Sequence, residues 1–134
     1  MRSGPMEARP RLLLVDDDAD MRDALAEALG ERFEVALAAN GEEGLRRLRE
    51  GSRPCAVLLD LLMPEMDGGE FLARMREEPA YAGVPVVILT GIAASQLKRL
   101  LGAEAVFVKP FDTGQLRREL ERLCRRDGRW GAPA

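Results

Sequence analysis

Histidine is absent from this chain of 134 residues. Its absence removes the commonest general base, the commonest metal ligand and any phosphohistidine chemistry carried by the chain itself. What chemistry remains must run on carboxylates, lysine, hydroxyls and a metal. Cysteine is nearly as scarce: Cys55 opens an apolar segment and Cys124 falls near the end of the last helical pattern. The pair offers neither a disulfide framework nor a metal-ligand spacing, and free thiols in a reducing, cytoplasmic setting are expected. No apolar run approaches the roughly 20 residues of a membrane span, and the N-terminus lacks the basic-then-apolar form of a signal peptide, so membrane insertion is not expected. Charge of one sign is missing too. The formal net charge is -3, with Arg interleaved among Glu and Asp, which argues against a dedicated surface for nucleic acid.

What is present fits one domain, long enough to bury most of the surface its unfolded form would expose. Residues 1–10 are poor in apolar groups and hold two prolines; they read as a disordered lead, partly a cloning remnant ahead of Met6. Residues 11–125 carry the domain, and 126–134, with Trp130, read as a flexible tail. Within the domain, short apolar runs alternate with helical patterns. A strand is expected over 11–16, and a helix from Asp20 follows with Met21, Ala24, Leu25, Ala28 and Leu29 on one face. Residues 33–38 alternate as a strand, and Asn40 with Glu43 forms a capping-box-like start to a second helix. Later strands are expected over 55–60, 85–90 and 105–108. A third helix ends near Pro79, a short fourth covers 94–101, and a last one is capped by Asp112. This alternation implies an α/β fold, a parallel sheet with helices on both faces and right-handed crossovers.

Carboxylates mark the strand ends. The run Leu12, Leu13, Leu14 and Val15 stops at Asp16, Asp17 and Asp18, and the run from Cys55 to Leu59 stops at Asp60. In open α/β sheets ligands bind at the carboxyl ends of the strands. A lone Asp there serves equally well as a cap or turn former, but two strands can bring their terminal acids side by side. Like charges about 4 Å apart repel by roughly 4 kcal/mol at a protein-like dielectric. A divalent cation with hard oxygen ligands offsets that, and magnesium typically takes one or two carboxylates. Asp18 and Asp20 read instead as first-turn helix residues favoured by the macrodipole.

With Asp16 and Asp17 after the first strand, Asp60 after the third, Thr90 after the fourth and Lys109-Pro110 after the fifth, the chain resembles a receiver domain of the two-component response regulators. Met63-Pro64 and Asp67-Gly68 also stand where that family often has them. The resemblance implies a flavodoxin-like (βα)5 three-layer sandwich with strand order 2-1-3-4-5. It implies that Asp60 accepts a phosphoryl group from the phosphohistidine of a sensor histidine kinase or phosphotransfer protein. Asp17 and Asp60 would ligate magnesium with the backbone carbonyl of Leu62, and Asp16 would act largely through water. Lys109 would hold one phosphoryl oxygen and Thr90 another, with the backbone N–H of Gly91 helping. Enzymatic activity would be limited to self-phosphotransfer and autophosphatase activity, and output would pass to a downstream protein. With the chain ending just after the fifth helix, that output is expected from a partner or from a longer parent protein rather than from a DNA-binding domain of its own.

The chain also departs from the family pattern. Where many receivers carry Tyr or Phe three residues before the strand-end lysine, this sequence has Val106; Phe107 is adjacent but should face the other side of the sheet. The stretch from Thr90 to Lys109 is a few residues shorter than is common, so the fourth helix and its partner face are altered. Leu62 and Ile92 put apolar groups beside the expected path of the hydrolytic water, which implies slow loss of the phosphoryl group. These departures leave open an atypical receiver, an interaction module that works without phosphorylation. A haloacid-dehalogenase-type phosphatase, with Asp16 and Asp18 as its Asp-x-Asp, fits less well, because the chain is short and no late acidic pair follows the fourth strand.

Overall fold

In the computed structural model, which describes residues 9–61, 68–91 and 96–126, the apolar runs become strands: β1 Arg11–Val15, β2 Glu34–Ala38, β3 Ala56–Asp60, β4 Val86–Thr90 and β5 Ala105–Val108. Helices alternate with them: α1 Ala19–Leu29, α2 Gly41–Arg49, α3 Gly68–Glu77, α4 Leu97–Leu101 and α5 Thr113–Arg126. All strand pairs are parallel and the order is β2-β1-β3-β4-β5. This is the flavodoxin-like architecture. Every residue of β1, β3 and β4 is buried, which is why those runs are continuously apolar rather than alternating. Alternate residues of the central strands feed two cores. Leu13, Val15, Val57 and Leu59 pack with Leu45, Leu48, Phe71 and Met75 of α2 and α3. Leu12, Leu14 and Leu58 pack with Leu25, Leu29, Leu116 and Leu120 of α1 and α5.

Local chemistry sets the helix ends. The Asp18 carboxylate caps α1, accepting from the N–H groups of Asp20 and Met21. Asn40 accepts from Glu43 N–H at 2.8 Å, while the Glu43 carboxylate reaches back to Ala39 N–H at 2.6 Å, a capping box displaced by one residue. Asp112 accepts from Gln115 N–H at the start of α5. Two packing expectations change. Ala24 and Ala28 are exposed, so the packed stripe of α1 narrows to Leu25 and Leu29 flanked by Met21. Phe33 lies ahead of β2 rather than in it, buried under the α1 core. The chain is engaged from Arg9, whose guanidinium donates to Gly30 O, and Pro10 O accepts from Glu34 N–H. Residues 1–8 and 127–134, Trp130 included, lie outside the described residues, as does the expected start of the fourth helix at Ala94.

The cysteines are not the free thiols expected: Cys55 and Cys124 are joined in a disulfide. Cys55 sits at the foot of β3 and Cys124 in the last turn of α5, on the same face of the sheet and 5.1 Å apart at their Cα atoms. Sixty-nine positions apart in sequence, they give no hint of that meeting.

Arg11 opens β1 yet is only 8% exposed. Its guanidinium donates to Ser52 O at 2.6 Å and to Arg47 O at 2.9 Å, at the carbonyl end of α2, where the helix dipole favours a cation. Arg11→Ala is expected to leave the carbonyl end of α2 undersatisfied and to lower stability by about 2 kcal/mol. Urea denaturation checks this, with a lower midpoint at an unchanged m-value.

Candidate functional site

The strand order reverses between β1 and β3. The chain leaves β1 for β2 on one side and returns to β3 on the other, which opens a crevice at their carboxyl ends. Val15 pairs with Leu59, so the next residues along, Asp16 and Asp60, stand side by side. Asp17 follows on the loop into α1. One carboxylate oxygen from each of Asp16, Asp17 and Asp60 lies within 4.8 Å of the other two. Asp16 is fully buried, Asp60 is 7% exposed and Asp17 faces solvent.

β5 brings the cation. Lys109 Nζ lies 3.5 Å from Asp16 Oδ2 and 3.8 Å from Asp60 Oδ1, while its backbone N–H donates to Thr90 O at 2.7 Å. Lys109 is therefore a counter-ion of the acidic cluster rather than a solvated surface lysine. Thr90 is buried at the end of β4, next to Leu89, the strand partner of Asp60. Gly91 comes immediately after and is exposed, with open space where a Cβ would stand. Any contribution from Gly91 is thus through its backbone and does not require glycine. Leu62, Ile92, Met63, Pro64 and Asp67 lie outside the described residues. Asp18 and Asp20 take the helix-start roles expected of them.

The donor set fits a small hard cation. Among the described residues the three carboxylates stand against the Lys109 ammonium, and repulsion of roughly 3–4 kcal/mol per pair at this spacing is only partly offset by it. Asp16 Oδ1 accepts from Asp18 N–H at 2.9 Å, but Asp16 Oδ2 is buried with no hydrogen-bond partner. A buried carboxylate oxygen without a hydrogen bond, beside two more carboxylates of which one reaches water, is a set of oxygen ligands of the kind magnesium takes.

Two further features position these residues. The Arg22 guanidinium donates to Asp16 O at 2.8 Å, fixing the β1 end from the first turn of α1; an arginine six positions downstream gives no such signal. The Gly68-Gly69 pair begins α3. A Cβ on Gly68 would stand 2.8 Å from both Asp60 O and Leu61 Cα, and its N–H donates to Leu61 O at 2.9 Å. Only glycine lets α3 start this close to the backbone of Asp60. Gly68→Ala is expected to push the Asp60–Leu61 backbone aside and slow any reaction at the Asp60 carboxylate by about tenfold. The chain should stay folded, and circular dichroism alongside a rate measurement separates the two effects.

The family description "Response regulator receiver domain" matches residues 12–121. Among curated proteins, the chain is 35% identical over 120 residues to the response regulator Rre1 of Synechocystis sp., an overlap of 86% of this chain and 52% of that protein. It is 39% identical over 124 residues to the transcriptional regulatory protein PrrA of Mycobacterium tuberculosis, covering 89% of this chain and 52% of that one. The chain thus spans about half the length of these relatives. Among solved structures, the chemotaxis protein CheY4 of Vibrio cholerae superposes with a TM-score of 0.78 at 30% identity, over 85% of this chain and 98% of that one.

Proposed function

This chain belongs to the response regulator receiver domains, and on that footing we propose that it is a magnesium-dependent phosphoryl acceptor in which Asp60 carries the group. The observation that supports this reading is the convergence of Asp16, Asp17 and Asp60 within 4.8 Å, with the Lys109 ammonium against two of them.

In the proposed reaction an Asp60 carboxylate oxygen attacks phosphorus. The new P–O bond forms as the bond to the donor, a phosphohistidine nitrogen of a sensor kinase or phosphotransfer protein, breaks. The nucleophile is a carboxylate and has no proton to lose in the attack, so no general base is needed, in keeping with a chain that has no histidine. Charge develops over the equatorial oxygens of the transferring group, and positioned cations and donors stabilise it. Lys109 is at hand for one oxygen, and the Thr90 hydroxyl with the Gly91 N–H for another. Asp17, Asp60 and the Leu62 carbonyl would hold magnesium directly and Asp16 through water; bound there, the ion neutralises charge on the phosphoryl oxygens. Any enzymatic activity is confined to this self-phosphotransfer and to hydrolysis of its product.

The partners of this reading are a kinase or phosphotransfer protein upstream and a protein target downstream, with neither direct nucleic-acid binding nor membrane insertion. Among the described residues no helix is long and apolar enough to cross a membrane. The cytoplasm, where kinases draw on ATP, is the proposed location. The second reading, a module working without phosphorylation, draws on Val106, which packs against the core cluster on the α2–α3 side where the family's aromatic would be. Incubation with acetyl phosphate and magnesium followed by intact mass decides between the two: the switch gains one phosphate, and the phosphorylation-independent module gains none.

A further inference from the structure

We propose that Cys55 and Cys124 form a reversible oxidation site whose co-reactant is a low-molecular-weight disulfide of the glutathione class, and that closing it clamps α5 to the sheet without changing the chemistry at Asp60. The bond lies at the opposite end of β3 from the phosphoacceptor. Five residue steps separate Cys55 from Asp60, roughly 16 Å along an extended strand. It also lies at the opposite end of α5 from the site. α5 begins just after Lys109 and Pro110 and runs 14 residues, with Cys124 in its last turn, so the helix crosses the molecule from the acidic crevice to the clasp. Its first turn is fixed by the Asp112 cap. At the far end the covalent bond adds to the packing of Leu116, Leu120 and Leu123.

Both sulfurs are fully buried in the apolar cluster shared with Leu12, Leu25 and Leu29. Buried thiols exchange slowly, but a terminal helical turn opens at a small fraction of the cost of unfolding the domain. Opening that turn gives a small disulfide access to Cys124 first. In the forward direction the Cys124 thiolate attacks one sulfur of the oxidised tripeptide and displaces one thiolate, forming a mixed disulfide. The Cys55 thiolate then attacks the Cys124 sulfur and displaces the second. Two protein thiols lose two protons and two electrons, and the co-reactant disulfide is reduced to two thiols. The loop so closed spans 69 residues, long enough that reduction is expected to lower the melting temperature by about 10 °C.

The full-length chain, equilibrated in glutathione buffers from fully reduced to fully oxidised, then quenched with N-ethylmaleimide, is read by intact mass. The expected result is interconversion between a species with no alkylated cysteine and one with two. The reduced form should melt about 10 °C lower, with faster amide exchange in the last turns of α5. Cys124→Ser should melt like the reduced form at every glutathione ratio; should it fail to fold, the wild-type series still decides. A bond that survives reduced glutathione, thiols that never pair in the oxidised buffer, or equal melting temperatures would each overturn the proposal. Acetyl phosphate labelling should run at the same rate in both redox forms, and a rate that follows the redox state would overturn the independence from Asp60. The mass and melting arms do not rely on phosphorylation, so they stand even where no labelling occurs.

Discussion

Asp60→Asn is expected to take up no phosphate from acetyl phosphate and, in the absence of magnesium, to melt at a higher temperature than the wild type. The first effect follows from chemistry: an amide oxygen is not the ionised nucleophile that acyl phosphate formation needs. The second follows from the crowding of Asp16, Asp17 and Asp60 within 4.8 Å. Asn keeps the shape of the side chain but removes two carboxylate repulsions, at the loss of one attraction to Lys109 3.8 Å away. The difference should favour the variant by about 1 kcal/mol, or about 3 °C. Magnesium should reverse the order, because a ligand that binds only the folded chain stabilises it in proportion to its affinity, and the variant has lost one ligand charge. Melting curves with and without magnesium, beside the mass measurement, read both effects. A variant less stable than the wild type in both conditions would mean that the acids are not under mutual strain.

Lys109→Ala is expected to slow phosphate uptake by about 10²- to 10³-fold, the usual loss on removing one preorganised donor from an anionic transition state. Its effect on magnesium should have the opposite sign. With the ammonium 3.5 Å from Asp16 Oδ2 and 3.8 Å from Asp60 Oδ1, lysine and metal draw on the same oxygens, so deleting the lysine should tighten magnesium binding while destabilising the metal-free fold. Calorimetric titration with magnesium alone, set beside the labelling rate, separates these roles. Weaker magnesium binding in the variant would contradict the counter-ion role assigned to Lys109.

The acids and the lysine that the structure brings together, Asp16, Asp17, Asp60 and Lys109, stood out in the sequence because their chemistry interrupts the pattern. A carboxylate ending a run such as Leu12 to Val15, or a lysine ending the short strand at Val108, has no reason to be there for packing. The helix starts at Asn40 and Asp112 were legible for the same reason, since capping is local, while the first helix, expected from Asp20, starts at Ala19 with Asp18 as its cap. Strand order was not written in the periodicity, which is identical for any arrangement of buried parallel strands; it came with the family likeness. The alternation that sends Val106 and Phe107 to opposite cores followed directly from strand geometry. What stayed hidden depends on distant segments meeting. Gly44 in mid-helix looks like a weak point, yet a Cβ there would stand 2.8 Å from the Phe71 ring and 3.0 Å from Val15, so its lack of a side chain lets α2 lie against β1 and α3. Arg11 at a strand start carries no local sign of the Arg47 and Ser52 carbonyls that it meets in the fold. The union of Cys55 with Cys124 likewise depends on where α5 docks.

Crystals of the chain grown with manganese in place of magnesium, and measured for anomalous scattering, look directly at whether the strand-end acids share a cation. The expected result is one strong peak within ligand distance of Asp17 and Asp60, close to Asp16, with Lys109 drawn away from their oxygens. A well-ordered crevice with no peak there, or a peak elsewhere on the surface, would contradict the shared-cation site on which the phosphoryl-acceptor reading rests.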